Sequence, residues 1–250
     1  MPATLITIRF SHFCEKARWA LDHAGVRYDE SAYIPGAHQL ATRLHGGRSV
    51  PMLVTPHGVL RDSTKIVEFA DKRAASERRL YPDDDARRAE VDAFIADLDD
   101  KLGPATRLLA YHHMLPVPDA LVKRVGLGMS RGERLRFRIA LPLLRGPMRR
   151  MMRIDDERAA RAITRIRSTF DDVSTRLADG RRYLFGDRLG AADITFAALA
   201  SPALLPPSHP HYASELEGIP AALLPLVEEI RATPAGRWAC ALYRDERITR

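Results

Sequence analysis

Apolar and polar positions follow two different rhythms along this chain, and the change falls near Tyr81-Pro82. Before it, short apolar runs alternate with amphipathic stretches. Leu5 to Phe10 reads as a strand. Phe13 to Ala24, with Cys14, Ala17, Ala20, Leu21 and Ala24 at helical spacing, reads as a helix closed by Gly25. Arg27 to Tyr33 forms a weaker strand, and Ala37 to Leu44 a short helix ended by Gly46-Gly47. Met52 to Thr55 and Val59 to Arg61 flank Pro56-His57-Gly58, the pattern of a hairpin, and a helix follows from Ser63 to about Ala74. The order is βαβαββα, which predicts a mixed four-stranded sheet.

Beyond Tyr81 helical spacing takes over. Arg87 to Tyr111 is a long amphipathic candidate, with Val91, Phe94, Ile95, Leu98, Leu102 and Leu109 on one side. Asp155 to Leu177 is a second. Ala191 to Leu204 is apolar on nearly all sides and so predicted to be buried, and Leu223 to Ala232 and Ala235 to Tyr243 complete the set. Between the first two, Pro116 to Met152 is interrupted by Pro118, Gly126, Gly128, Gly132, Pro142, Gly146 and Pro147, which predicts irregular short helices and loops. The division expected is a domain over residues 1–80 and an all-helical domain over 87–250.

Composition narrows the class. With 250 residues, 46% hydrophobic and 28% charged, the chain has the make-up of a globular protein able to bury a real core. Two cysteines, Cys14 and Cys240, make no disulfide framework, and no run reaches the roughly 18 apolar residues of a membrane span. No basic-apolar leader opens the chain, so a reducing cytoplasm is the expected setting. Charge is uneven. Asp119 to Arg150 holds nine bases against two acids, a local excess equal to the +7 of the whole chain. Without a nucleic-acid fold signature, this stretch reads as a solvated helical face, with weak contact to a membrane surface or an anionic ligand as the alternative. The adjacent His112 and His113 lack further ligands at metal spacing, so no metal site is expected. Neither a Gly-rich phosphate loop nor a Ser-His-Asp constellation is present.

The candidate chemistry lies in the first seventy residues, where Ser11-His12-Phe13-Cys14 follows the first strand, Ser49-Val50-Pro51 precedes the third and Asp62-Ser63 opens the third helix. In this order and spacing, with a helical remainder, the chain resembles the glutathione S-transferase family, and Phe13 to Leu21 is similar to bacterial members whose first-strand motif reads Ser-x-Phe-Cys. The resemblance implies a thioredoxin-like N-terminal domain, an all-α C-terminal domain, glutathione as co-substrate and a cytoplasmic homodimer. It further implies a cis Val50-Pro51 bond, with Val50 pairing the cysteinyl unit of glutathione. As a helix start, Asp62-Ser63 suits the γ-glutamyl carboxylate and ammonium, although both residue types are also ordinary caps. Arg48, with His38 or Gln39, stands where the glycyl carboxylate is expected.

Ser11 is placed to donate its hydroxyl to the glutathione sulfur and hold it as thiolate, since a free thiol near pKa 8.5 is mostly protonated at neutral pH. Cys14 has two further roles open: a thiol in the first turn of a helix, where the dipole lowers its pKa and permits thiol transfer, or a small buried hydrophobe. Arg18 is expected to pair with an acid of the helical domain and Trp19 to pack in the core. Gly186 to Ile194 resembles the family's capping box, with Gly190 in place of the usual Ser or Thr and Asp193 retained. Leu108, Tyr111, His112, Met114 and Leu115 are expected to line the site of a hydrophobic electrophile between the domains. The activity implied is glutathione transfer. The alternatives are a non-catalytic ligand- or membrane-surface-binding relative, or a Cys14-dependent thiol transferase.

Overall fold

The structure, a computed structural model, describes residues 3–125, 130–212 and 219–248. Four strands, β1 (Ala3–Ile8), β2 (Tyr28–Tyr33), β3 (Met52–Thr55) and β4 (Gly58–Leu60), form one mixed sheet in the order β2-β1-β3-β4. β1 and β2 run parallel, joined by helix α1 (His12–His23), whereas β3 runs antiparallel to both β1 and β4. Helices α2 (His38–Leu44) and α3 (Ser63–Asp71) complete the predicted βαβαββα order. α1 packs against α3. Leu5, Ile6, Leu53, Ala17, Ala20, Ile66, Val67 and Trp19 bury the faces that their spacing singles out.

The helical part contains α4 (Asp85–Asp97), a single π turn (Leu98–Leu102), α5 (Gly103–Met114), α6 (Pro118–Val125), α7 (Arg131–Met151), α8 (Asp156–Arg176), α9 (Ala191–Leu204), α10 (Leu224–Ala232) and α11 (Pro234–Asp245). Two features differ from expectation. The long helix predicted over Arg87 to Tyr111 is divided by the π turn, just ahead of Pro104, whose missing N–H cannot close the regular ladder. The predicted irregular stretch Pro116 to Met152 instead carries α6 and the 21-residue α7, which passes through both Pro142 and Pro147. Each proline forfeits one N–H, but other contacts hold the helix. Ser130 and Glu133 form a full capping box, with Ser130 N–H donating to Glu133 Oε2 at 2.7 Å and Glu133 N–H to Ser130 Oγ at 3.2 Å, while Phe137 and Leu141 are buried. The breakers Gly126 and Gly128 lie outside the described residues.

The chain divides into two compact units, residues 1–98 with 181–199 and 245–250, and residues 99–180 with 200–244. In the first unit, buried Asp71 at the end of α3 accepts from the N–H groups of Leu80 (2.7 Å) and Tyr81 (3.2 Å), and Leu80 O accepts from Ala191 N–H at the start of α9 (2.8 Å). Asp193 adds two more bonds, accepting from Gly190 N–H at 2.7 Å and Leu184 N–H at 2.8 Å. Burial pushes its carboxyl up to about 7, against the pull of those two donors. Gly190 has a steric reason here, because a Cβ there would sit 3.2 Å from Leu80 O. In the second unit, α5 packs on α8 and α6 on α7. Among the described residues no helix is long and apolar enough to cross a membrane.

Candidate functional site

β1 ends at Ile8, and a tight turn carries the chain into α1: Ser11 N–H donates to Ile8 O at 3.0 Å. Ser11, in extended conformation (φ −75°, ψ 123°), is the N-cap of α1, its Oγ accepting from Cys14 N–H at 3.4 Å. A hydroxyl that accepts still has its own proton to donate. Ser11 is partly exposed.

The sheet register brings the other motif residues to the same end. β1 and β3 pair as Thr4 with Val54, Leu5 with Leu53 and Ile6 with Met52, so two further steps lead to Val50, level with Ile8. The Val50-Pro51 bond is cis, as the resemblance implies. β3 pairs with β4 through Leu53 and Leu60, and the next steps bring Asp62 level with Pro51. The end of β1, the start of β3 and the end of β4 therefore share one edge of the sheet, with Ser11, Val50-Pro51 and Asp62-Ser63 along it.

Asp62 is the N-cap of α3 and accepts from Lys65 N–H at 3.0 Å. This capping bond uses one carboxylate oxygen of an exposed side chain. Ser63 behind it is buried. The loop before Val50 is held from both sides. Arg61 donates to His45 O at 2.8 and 3.1 Å, and Gly47 lies so close to the Met52 methyl that a Cβ there would collide with it. Arg48 is exposed on this loop, whereas His38 and Gln39 make local bonds, His38 Nδ1 accepting from Gly36 N–H and Gln39 from Arg43.

Cys14 is completely buried, and burial pushes its thiol up, with Arg18, Ser11 and the Ile8 backbone pulling weakly the other way. The lowered thiol that the helix start suggests is not what this environment produces. Arg18 also departs from expectation. Its acids are Glu30 of β2, at 2.6 and 2.9 Å, and Glu15 of α1, at 3.5 Å, rather than residues of the helical domain. The reason is local: α1 crosses from β1 to its parallel neighbour β2, where Glu30 stands level with Leu5. Arg18 also reaches Ile8 O at 3.4 Å, the carbonyl that closes the Ser11 turn.

Two contributors have no signal in the sequence. Lys16, fully buried in α1, donates to Thr64 Oγ1 of α3 at 2.7 Å and so couples the helix carrying Ser11 to the helix carrying Ser63. Arg247, near the C-terminus, is buried against Glu15 (2.6 Å) and Asp22 (2.9 Å) of α1. A helix buried on all sides has no polar face to give Lys16 away, and no spacing rule links residue 247 to residue 15. Toward the expected electrophile site, Met114 and Leu115 are buried and Leu108 is half-buried, while burial lifts the Tyr111 hydroxyl to about 12.

Two protein-family models match this chain, the glutathione S-transferase N-terminal domain over residues 5–78 and the glutathione S-transferase C-terminal domain over residues 156–220. The chain belongs to the glutathione S-transferase family. The N-terminal match contains every motif residue gathered at the sheet edge, and the stretch 79–155 lies between the two matches. No curated protein matches the sequence. Among solved structures, a glutathione S-transferase from Sinorhizobium meliloti is 19% identical, with 98% of this chain and 99% of that chain covered and a TM-score of 0.60. A theta class glutathione S-transferase from Xanthomonas axonopodis pv. citri, solved with glutathione bound, is 23% identical over 100% and 99% of the two chains, with a TM-score of 0.59. A beta-etherase from Sphingobium sp. strain SYK-6 is 19% identical over 96% and 98%, with a TM-score of 0.62. At these identities the likeness is one of fold.

Proposed function

We propose that this transferase-family chain binds glutathione along the sheet edge and ionises its thiol for attack on a hydrophobic electrophile. The observation that carries the reading is the convergence of Ser11, cis Val50-Pro51 and the α3 start on one edge of a glutathione S-transferase N-terminal domain. The glutathione bound in the Xanthomonas structure supports the same ligand here. In this reading Val50 pairs its backbone with the cysteinyl unit, and the α3 N-terminus with Ser63 receives the γ-glutamyl carboxylate. Asp62 accepts from the ligand ammonium, and Arg48 meets the glycyl carboxylate. The Ser11 hydroxyl donates to the sulfur and attacks nothing. The thiol proton passes to solvent and the thiolate sulfur bonds to the electrophilic carbon. On an aryl halide the sulfur adds to the ring and the halide then departs with its bonding pair, whereas in an addition the electrons move into the acceptor, which takes up a proton from solvent.

The burial of Cys14 favours Ser11 over Cys14 as the group facing the ligand. Retention on immobilised glutathione, together with conjugation of a reactive aryl halide, is the expected result. Absence of both would contradict the proposal and favour a non-catalytic relative. Asp62→Ala should raise the Kd for glutathione on the order of tenfold by removing a charge-assisted bond, with kcat changed far less. Equilibrium titration beside steady-state kinetics separates the two effects.

We further propose a cytoplasmic homodimer in which the N-terminal module of one subunit meets the helical domain of the other across a two-fold axis. Light scattering at micromolar concentration should return about twice the chain mass of 28.0 kDa, and a mass near 28.0 kDa would rule the dimer out.

A further inference from the structure

α7 carries two apolar faces, and the fold uses one. Phe137 and Leu141 are buried, with Leu144 and Met148 half-buried on the same side. On the other side, Leu135 (59% exposed), Ile139 (67%) and Leu143 (79%) follow one another every four residues. That spacing places them on one stripe of the helix surface, and Pro142 and Pro147 are exposed near it. Three large aliphatic side chains at such exposure form a continuous ridge rather than scattered surface residues.

Arginines frame the ridge. At 100° per residue, Arg131, Arg134, Arg138 and Arg149 fall on one flank, Arg136 on the other, and Arg150 in line with the ridge itself one turn or more beyond Leu143, all of them exposed. Within α7 seven arginines face one acid, Glu133, which is engaged in the capping box. Arg138 also meets exposed Asp119 of α6 at 3.3 Å. The stretch lies outside both matched family ranges, and no role in the glutathione site uses it.

We propose that the outward face of α7 docks on an anionic lipid bilayer, with the aliphatic ridge entering the headgroup boundary and the flanking guanidinium groups binding lipid phosphates. Charge complementarity selects this occupant. A second copy of the same face would set two strongly basic helices against each other, at a repulsive cost. A nucleic acid would satisfy the arginines but leave the aliphatic ridge in water, whereas a bilayer surface accepts both. The long guanidinium stems reach outward from the helix, so phosphate contact and shallow aliphatic insertion are compatible. The docking does not depend on the thiol chemistry proposed above.

The test is cosedimentation of the full chain with vesicles of phosphatidylcholine alone and of phosphatidylcholine with phosphatidylglycerol in equal parts. Binding to the anionic vesicles is expected to exceed binding to neutral ones at least tenfold and to weaken as salt is raised. A Leu135→Ser, Ile139→Ser, Leu143→Ser variant and an Arg134→Gln, Arg138→Gln, Arg149→Gln variant should each lose at least tenfold in binding. Both sets of side chains are exposed, so circular dichroism, elution from immobilised glutathione and aryl-halide conjugation should match the unaltered chain. Equal binding to both vesicle types, no binding, or anionic binding untouched by either variant would overturn the proposal. So would loss of a dimer in the Ser variant, or α7-dependent binding to nucleic acid without binding to vesicles.

Discussion

Ser11→Ala is expected to cut glutathione conjugation on the order of tenfold to a thousandfold while leaving glutathione binding nearly intact, since one preorganised donor aimed at a developing charge carries an effect of this size. The geometry explains why one hydroxyl should matter so much. Ser11 is fixed through its N–H to Ile8 O, through its C=O to Glu15 N–H and through its Oγ to Cys14 N–H, so the group is already oriented when the ligand arrives. Removing the hydroxyl takes away the N-cap as well, which costs about 1 kcal/mol of helix stability. Ser11→Thr retains both hydroxyl functions and should recover much of the activity. An Ala variant with unchanged kcat would show that the hydroxyl does not touch the sulfur.

Asp193→Ala is expected to lower the stability of the fold strongly. It strands the buried N–H of Leu184 and the partly buried N–H of Gly190; an unsatisfied buried donor costs about 1–3 kcal/mol and a partly buried one less, so a loss of about 2–4 kcal/mol should appear in urea unfolding. The same residue gives a pH signature. Its folded-state pKa, about 7, is raised above the ordinary carboxylate value, so its favourable contribution is complete at acid pH below that ordinary value and is lost as pH rises from there through about 7. The urea midpoint of the unaltered chain should therefore fall across that window more steeply than that of Asp193→Ala. Equal midpoints at all pH values would remove Asp193 from this role.

Much of the fold is legible in the sequence where one physical signal dominates. The short apolar strands around the Pro56-His57-Gly58 turn, the mostly apolar α9, and the Asp155 start of α8 each follow from local rules. Ser11, Val50-Pro51 and Asp62-Ser63 stand out as motifs, but the reason they act together is sheet register, which no single motif contains. α7 is hidden because its prolines and glycines outweigh its start signal. Ser130-Arg131-Gly132-Glu133 is a capping box in plain sight, and Phe137, Leu141, Leu144 and Met148 provide the buried spacing behind it. The partner of Arg18 is equally hidden, because Glu30 becomes its neighbour only when β2 lies parallel to β1.

The most direct test of thiol activation is the pH titration of bound glutathione, following thiolate absorbance in the ultraviolet for the unaltered chain, Ser11→Ala and Cys14→Ala. Activation by Ser11 predicts a midpoint below the free-thiol value of about 8.5 in the unaltered chain and in Cys14→Ala, returning toward that value in Ser11→Ala alone. A midpoint unaffected by Ser11→Ala but abolished in Cys14→Ala, with a mixed disulfide at Cys14 trapped in the unaltered chain, would contradict it.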